Sequence, residues 1–410
     1  MKDLRKDFPI LKETNNGHQV IYFDSAATSQ KPQQVLDAVM KYYTTSNANI
    51  HRGAHFLAER ATDLYEKSRE KVAQFLGASS ASEIVFTRGA TESINLVAAS
   101  WAMANVGKDD QIVTTELEHH ANLVTWQEVC KKTGATLAFI PALPNGLLDM
   151  STLDTIITKN TKLVACTYVS NAVGSHVDIK TIIKKAHSVG ARVLIDVAQA
   201  APYQKINVTD MDCDFLVLSG HKMLAPTGIG VLYIKKDLHE EMSPYQVGGG
   251  MIFEVTLRTA TWQKVPARLE AGTPAIAQAV GLGAAIDYLN EFVDWTALRK
   301  HEAALCTRMI EGLQQFKTVK IFGPIDELKV KGHLVPFEVA GLHAHDVAGY
   351  LDTFGICMRA GHHCAQPLAH KLGIEASCRA SFYLYNTLEE VDQVLEAIAT
   401  MHKDLLGGME

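Results

Sequence analysis

A series of short, mostly apolar runs constrains this chain more than anything else in it. Ile84–Phe86, Gln111–Thr115, Thr136–Ile140, Lys162–Tyr168, Arg192–Ile195, Asp214–Leu218 and Gly230–Ile234 are each of strand length and lack a polar–apolar alternation. Strands buried on both faces read this way. Stretches with helical spacing, such as Ile179–Val189, lie between several of them. The pattern predicts an α/β fold: a large domain with a mostly parallel sheet covered by helices on both faces. In such sheets ligands bind beyond the carboxyl ends of the strands.

At 410 residues the chain exceeds one ordinary core. The large domain is placed at 21–292 and a smaller C-terminal α+β domain at 293–410. An N-terminal arm, 1–20, is expected to pack on the small domain. Val20–Phe23 is a small apolar stretch, and strands of the smaller domain are expected near Val319–Phe322, Leu334–Val339, Ile356–Met358 and Ser377–Phe382. Helices are expected at Gln34–Tyr43, Phe56–Leu76, Ala277–Phe292, Trp295–Phe316, His345–Phe354 and Leu388–Leu406. Residues 248–274 interrupt the rhythm and read as a long functional loop or a domain edge.

Charge narrows the function classes. The 39 basic residues are outnumbered by 45 acidic ones, and no basic block stands out. Neither a nucleic-acid nor an anionic-membrane partner is indicated. No run has signal-peptide or transmembrane character. Seven scattered cysteines without a CxxC pair fit reduced, cytoplasmic usage, most of them filling core space.

Chemistry gathers at the predicted strand ends. Phe215–Leu218 runs straight into Ser219-Gly220-His221-Lys222. A lysine leaving a buried strand is held near the interior, where desolvation favours the neutral, imine-forming amine. Taken alone it reads as a surface lysine at a strand end, and the residues that follow reverse that reading. Asp196 ends another buried run; it caps the next helix or holds a protonated heterocycle nitrogen. Thr91, at a helix start, can join Ser219 and His221 in binding a phosphate, or merely cap its helix. His119 can stack on an aromatic ligand or be a satisfied histidine. Together these residues match pyridoxal 5'-phosphate (PLP), which requires an imine-forming lysine, a carboxylate at the pyridinium nitrogen and a phosphate cup. No Walker lysine and no partnered GxSxG competes.

A second constellation, Arg359-Ala360-Gly361-His362-His363-Cys364-Ala365-Gln366-Pro367, is followed by Arg379-Ala380-Ser381-Phe382. Positive neighbours and an opening helix favour a reactive thiolate at Cys364. A zinc site there lacks a fourth ligand.

Asp196-Val197-Ala198-Gln199, Ser219-Gly220-His221-Lys222 and the His-His-Cys-Ala loop closely resemble the SufS-type (group II) cysteine desulfurases. These are class V aminotransferase-like enzymes of PLP fold-type I. The likeness runs from Phe23-Asp24-Ser25-Ala26-Ala27 through Arg379. It implies that Lys222 forms the imine and moves protons, Asp196 keeps the ring nitrogen protonated and His119 stacks on the ring. It further implies that Gln199 bonds the ring hydroxyl, Asn171 orients cofactor and substrate, and Thr91, Ser219 and His221 take the phosphate. Thr273 is implied to reach the phosphate of the neighbouring subunit in a homodimer. Arg379, with Arg359 close by, is implied to grip the carboxylate of L-cysteine. Cys364 then takes the sulfur as a persulfide and L-alanine is released; a SufE- or SufU-like acceptor passes the sulfur toward iron–sulfur cluster assembly.

Three departures stand beside these motifs: Val197 where glycine is usual, Met223-Leu224-Ala225 in place of Leu-Tyr-Gly, and Ala275 in place of asparagine. Other readings of the scaffold are a lyase acting on L-selenocysteine, a class V aminotransferase and a kynureninase-like lyase. A non-catalytic interaction protein is the reading from outside enzymology.

Overall fold

Seven strands form one sheet in the order Ile84–Thr87, Gly230–Ile234, Phe215–Ser219, Arg192–Asp196, Thr161–Thr167, Gln111–Thr115, Thr136–Ile140 in a computed structural model that describes residues 4–407. Neighbours from Phe215–Ser219 to Thr136–Ile140 are parallel; Gly230–Ile234 runs antiparallel to both of its partners. Inserting one reversed strand needs only the tight turn after Lys222 rather than a helical crossover. Six of the strands are buried at nearly every position, as their mostly apolar sequence requires. The outer strand Thr136–Ile140 is largely uncovered. Apolar clusters cover both faces of the sheet, so the α/β class read from the sequence is the observed one.

The second sheet has the order Val319–Ile321, Leu334–Val339, Ser377–Ser381, Ile356–Gly361, Ile21–Phe23. Its last member comes from the N-terminal end of the chain. Ile21–Phe23 pairs in parallel with Ile356–Met358 and joins the C-terminal core with Phe382 edge-on to Phe23. The strand is too short to reveal from its own sequence which sheet it joins.

The N-terminal arm makes contacts on both sides of residue 292. Phe8 is fully buried, edge-on to Tyr288 and Tyr385. Burying such a side chain contributes about 1.5–3 kcal/mol. Asp7 accepts from the Tyr288 hydroxyl at 2.9 Å, while Arg5 pairs with Glu390 at 2.6 Å.

Helices form where periodicity predicts them, and their ends have identifiable stops. Phe56–Leu76 ends at Gly77, whose φ of 65° suits glycine. Leu388–Leu406 opens with a capping box between Thr387 and Glu390. The interruption at 248–274 is not all loop: Ile252–Val255 and Ala260–Trp262 form a hairpin, with Phe253, Val255 and Leu257 exposed. No described helix is long and apolar enough to cross a membrane.

Candidate active site

A cavity of about 440 Å³ opens at the carboxyl ends of the parallel strands, and every candidate residue except Thr273 lines it. Thr91, His119, Asn171, Asp196, Gln199, Ser219, His221 and Lys222 come from the large sheet and the segments that join it; Arg359, Cys364 and Arg379 come from the small sheet and its loop. Thr273 lies apart, exposed in a groove with Arg88, Glu92 and Glu270.

The lysine turn is held from below by the small-residue segment 24–31. Gly220–Lys222 is one 3-10 turn at the end of Phe215–Ser219. A Cβ at Gly220 would stand 2.9 Å from the Ile229 side chain and 3.0 Å from its carbonyl oxygen. The His221 carbonyl accepts from Ser29 N, Thr28 Oγ1, Ser29 Oγ and Lys31 Nζ at 3.0 to 3.1 Å. Burial brings the Lys31 amine down to about 8. These contacts explain why Asp24–Ser29 carries small side chains: its backbone passes directly under the turn.

Burial also pulls the Lys222 amine below the usual lysine range, against the opposing pull of Asp196 and with help from Arg379. Asp196 is pushed up by burial, offset by a 2.8 Å bond from Ala198 N and by Lys222. The two groups therefore face each other in a desolvated site, each damping the other's shift. His119 is lowered to about 4, first by burial and then by Lys222. Its Nδ1 accepts from Ala121 N at 3.1 Å, leaving a neutral ring protonated at Nε2.

The phosphate-type donors converge at a helix start. Ala90 N donates to Ser219 Oγ at 2.9 Å, at the first residue of the helix Ala90–Val97. Gly230 makes this possible, since a Cβ there would lie 2.4 Å from Gly89 Cα. His221 is lowered to about 4 by burial, Lys222 and Lys31, which makes it a neutral hydrogen-bonding group.

Cys364 sits between the strand Ile356–Gly361 and the helix Gln366–Lys371. It is the one exposed cysteine among the described residues; Cys357 is half-buried and the other five are buried. His363 and Cys364 both have positive φ, 53° and 56°, a conformation that side chains other than glycine and asparagine rarely adopt. The loop is held there from the large unit. His120 N donates to the Cys364 carbonyl at 2.7 Å, Gln366 N donates to His120 Nε2 at 3.0 Å, and Asn171 Nδ2 donates to the His363 carbonyl.

Arg379 is 3% exposed. Its Nη1 donates to the Asn171 carbonyl at 2.7 Å and its Nη2 to Asp24 Oδ1 at 3.3 Å, while its Nε is buried without a partner. Arg359 Nη2 donates to the other oxygen of Asp24 at 2.7 Å. Arg379 and Arg359 both line the cavity, so a carboxylate entering it meets two guanidinium groups. Gln199 is more committed than a free ring contact would be: Nε2 donates to the Ala26 carbonyl at 2.7 Å and Oε1 lies 3.3 Å from His333 Nε2.

Sequence reasoning missed Asp24, which joins both arginines, although it ends an apolar run just as Asp196 does. It also missed Glu118, fully buried and raised to about 8 by burial. Glu118 accepts from Thr115, Asn122 and the Thr167 amide, and so ties neighbouring strand ends together. Val197, Met223, Leu224 and Ala225, the departures nearest Lys222, all join the apolar core.

Comparison with known proteins places this geometry. The model of the aminotransferase class-V family matches residues 21–394. A probable cysteine desulfurase of Halalkalibacterium halodurans is 47% identical over 396 residues, 97% of this chain and 96% of that protein. A cysteine desulfurase of Haloferax volcanii is 44% identical over 408 residues, 96% of this chain and 95% of that one. Among solved structures, the apo cysteine desulfurase of Thermococcus onnurineus superposes with a TM-score of 0.93 at 43% identity, covering 98% of each chain. The cysteine desulfurase CsdA of Escherichia coli gives 0.90 at 39% identity, again covering 98% of each. The chain belongs to the class-V aminotransferase family.

Proposed function

We propose that the chain is a PLP-dependent cysteine desulfurase of the SufS type, converting L-cysteine to L-alanine and retaining the sulfur as a persulfide on Cys364. One observation carries the reading: the exposed thiol of Cys364 lines the same cavity as Lys222, Asp196 and Arg379. The names of relatives matched over nearly their whole length support the cysteine desulfurase reading.

The donor set fits PLP. A buried amine, a buried carboxylate and a phosphate-type cradle of Thr91, Ser219 and His221 share one cavity. When bound, PLP supplies an electron sink that labilises bonds at the substrate Cα. Asp196 would hold a proton on the ring nitrogen, His119 would pack on the ring as a neutral imidazole and Asn171 would orient the bound groups. Arg379, assisted by Arg359 on the same cavity wall, takes the substrate carboxylate. Lys222, its amine drawn below the usual lysine range by burial, moves the proton at Cα. Cys364 Sγ attacks the substrate sulfur; the bond from that sulfur to Cβ breaks, and alanine leaves. A persulfide on an exposed loop is open to a second protein, in keeping with a SufE- or SufU-like acceptor and delivery toward iron–sulfur cluster assembly. Thr273, outside its own chain's cavity, suits a role at the neighbouring subunit's phosphate in a cytoplasmic homodimer. The working division is an arm at 1–20, a cofactor domain to residue 292 and a cysteine-bearing domain beyond.

Mass spectrometry after exposure of the PLP-loaded protein to L-cysteine tests the proposal. One added sulfur on Cys364 is expected, absent in Cys364→Ala while cofactor binding persists. Sulfur found elsewhere, or transfer to an acceptor surviving in Cys364→Ala, would overturn it.

A further inference from the structure

His333 is fully buried, and its role belongs to none of the groups above. It stands just before the strand Leu334–Val339, where its backbone carbonyl accepts from Phe382 N at 2.8 Å. Its ring stacks on Tyr203 with centroids 4.1 Å apart and planes 30° apart. Main chain and ring are thus both fixed. A leucine would fill such a place without bringing polar atoms into the core.

Its one side-chain partner is Gln199, across 134 residues of chain. The Ala26 carbonyl can only accept, so the Gln199 atom 2.7 Å from it is the amide nitrogen. The atom facing His333 is then the amide oxygen. Two acceptors cannot bond, so Nε2 of His333 carries the proton and the ring is the neutral Nε2–H tautomer. Nδ1 is left bare, and it is buried without a partner. Burial, with smaller contributions from His176, Arg299, Arg379 and Lys222, keeps a second proton off the ring. An unpartnered nitrogen in a core calls for an explanation, and the hold on Gln199 supplies one.

We propose that His333 is a positioning residue that fixes the plane of the Gln199 amide, so that the remaining amide N–H is presented to the cofactor cavity in one direction. Ala26 alone determines which atom of the amide faces it and leaves the group free to swing about that contact. The second contact removes the swing. The small domain thereby contributes to the cofactor side of the cavity through His333, as well as to the substrate side through Arg379. The inference rests on the reading that the cavity takes PLP and that Gln199 meets an oxygen of the ring.

The test uses the PLP-loaded protein and the pH midpoint at which the bound cofactor's visible band changes. An N–H donated to a deprotonated oxygen stabilises it, so losing the donor raises the midpoint, here by about half a pH unit or more. Gln199→Leu should show the full rise. His333→Phe keeps a ring against Tyr203 but has no donor, and should move the midpoint in the same direction. His333→Gln, which retains an N–H, should recover at least half of that shift. The double variant Gln199→Leu/His333→Phe should titrate as Gln199→Leu alone. His333→Phe titrating like the wild type, additive shifts in the double variant, or an unmoved Gln199→Leu would each overturn the proposal. Should His333→Phe fail to fold, His333→Leu carries the same comparison. A wild-type protein that takes up no PLP would instead refute the reading of the cavity.

Discussion

Arg379 donates a 2.7 Å hydrogen bond to the backbone carbonyl of Asn171, a residue 208 positions earlier in the chain. The side chain of Asn171 donates in turn to the His363 carbonyl. One residue of the large unit therefore anchors both the buried arginine and the cysteine loop of the small unit. Asn171→Ala keeps the backbone bond and loses the one to the loop. Sulfur transfer to Cys364 is expected to slow roughly ten- to a hundredfold, as misplaced reacting atoms do, with a much smaller change in cofactor binding. Single-turnover persulfide formation measures the first and absorbance titration the second.

Asp24 shares its carboxylate between Arg379 and Arg359. Asp24→Asn leaves the buried guanidinium of Arg379 without its counter-charge, at a cost of about 2–3 kcal/mol. Denaturant unfolding should register the loss, and KM for L-cysteine should rise more than kcat falls. An unchanged KM would separate Asp24 from substrate binding.

Lys222 is drawn down by burial and held up by Asp196. Removing that negative charge in Asp196→Asn lets the amine fall further, so more of it is neutral at a given pH. The rate at which the apoprotein captures PLP depends on neutral amine, and its pH profile should shift toward acid relative to wild type. An alkaline shift would mean that Asp196 does not act on Lys222 as a charge.

Glu270 is bound by Arg69 through both oxygens, at 2.6 and 2.9 Å, and also accepts from Tyr65 and the Phe86 amide. Arg69 is almost completely buried, with Glu66 as its other carboxylate. Glu270→Gln is expected to destabilise the fold by about 2–3 kcal/mol. Because Thr273 follows three residues later, the same variant should weaken PLP retention if Thr273 serves a neighbouring subunit. Thermal unfolding and cofactor release measured together separate the two effects.

Most of the large sheet was legible because each strand announces itself locally, as an apolar run with a polar residue at its end. Lys222, Asp196 and Ser219 could be read for the same reason, since burial and position at a strand end are both properties of a few adjacent residues. What escaped was set by partners distant in the chain. Ile21–Phe23 has no local feature to say that it pairs with Ile356–Met358. His120 looks like any helix-start histidine until Gln366 and Cys364 arrive beside it. His333 belongs to no motif, and only the folded chain puts it next to Gln199. The stretch 248–274 read as loop because its hairpin is exposed and hides no apolar face.

The pairing of Ile21–Phe23 with the C-terminal sheet also governs how this protein can be taken apart. A polypeptide severed near residue 292 would yield a C-terminal fragment missing its edge strand and an N-terminal fragment with that strand dangling. Neither piece is a self-sufficient module. Swapping the cysteine-bearing half between relatives would therefore have to carry the first two dozen residues along with it, so that a working chimera needs two crossover points, not one.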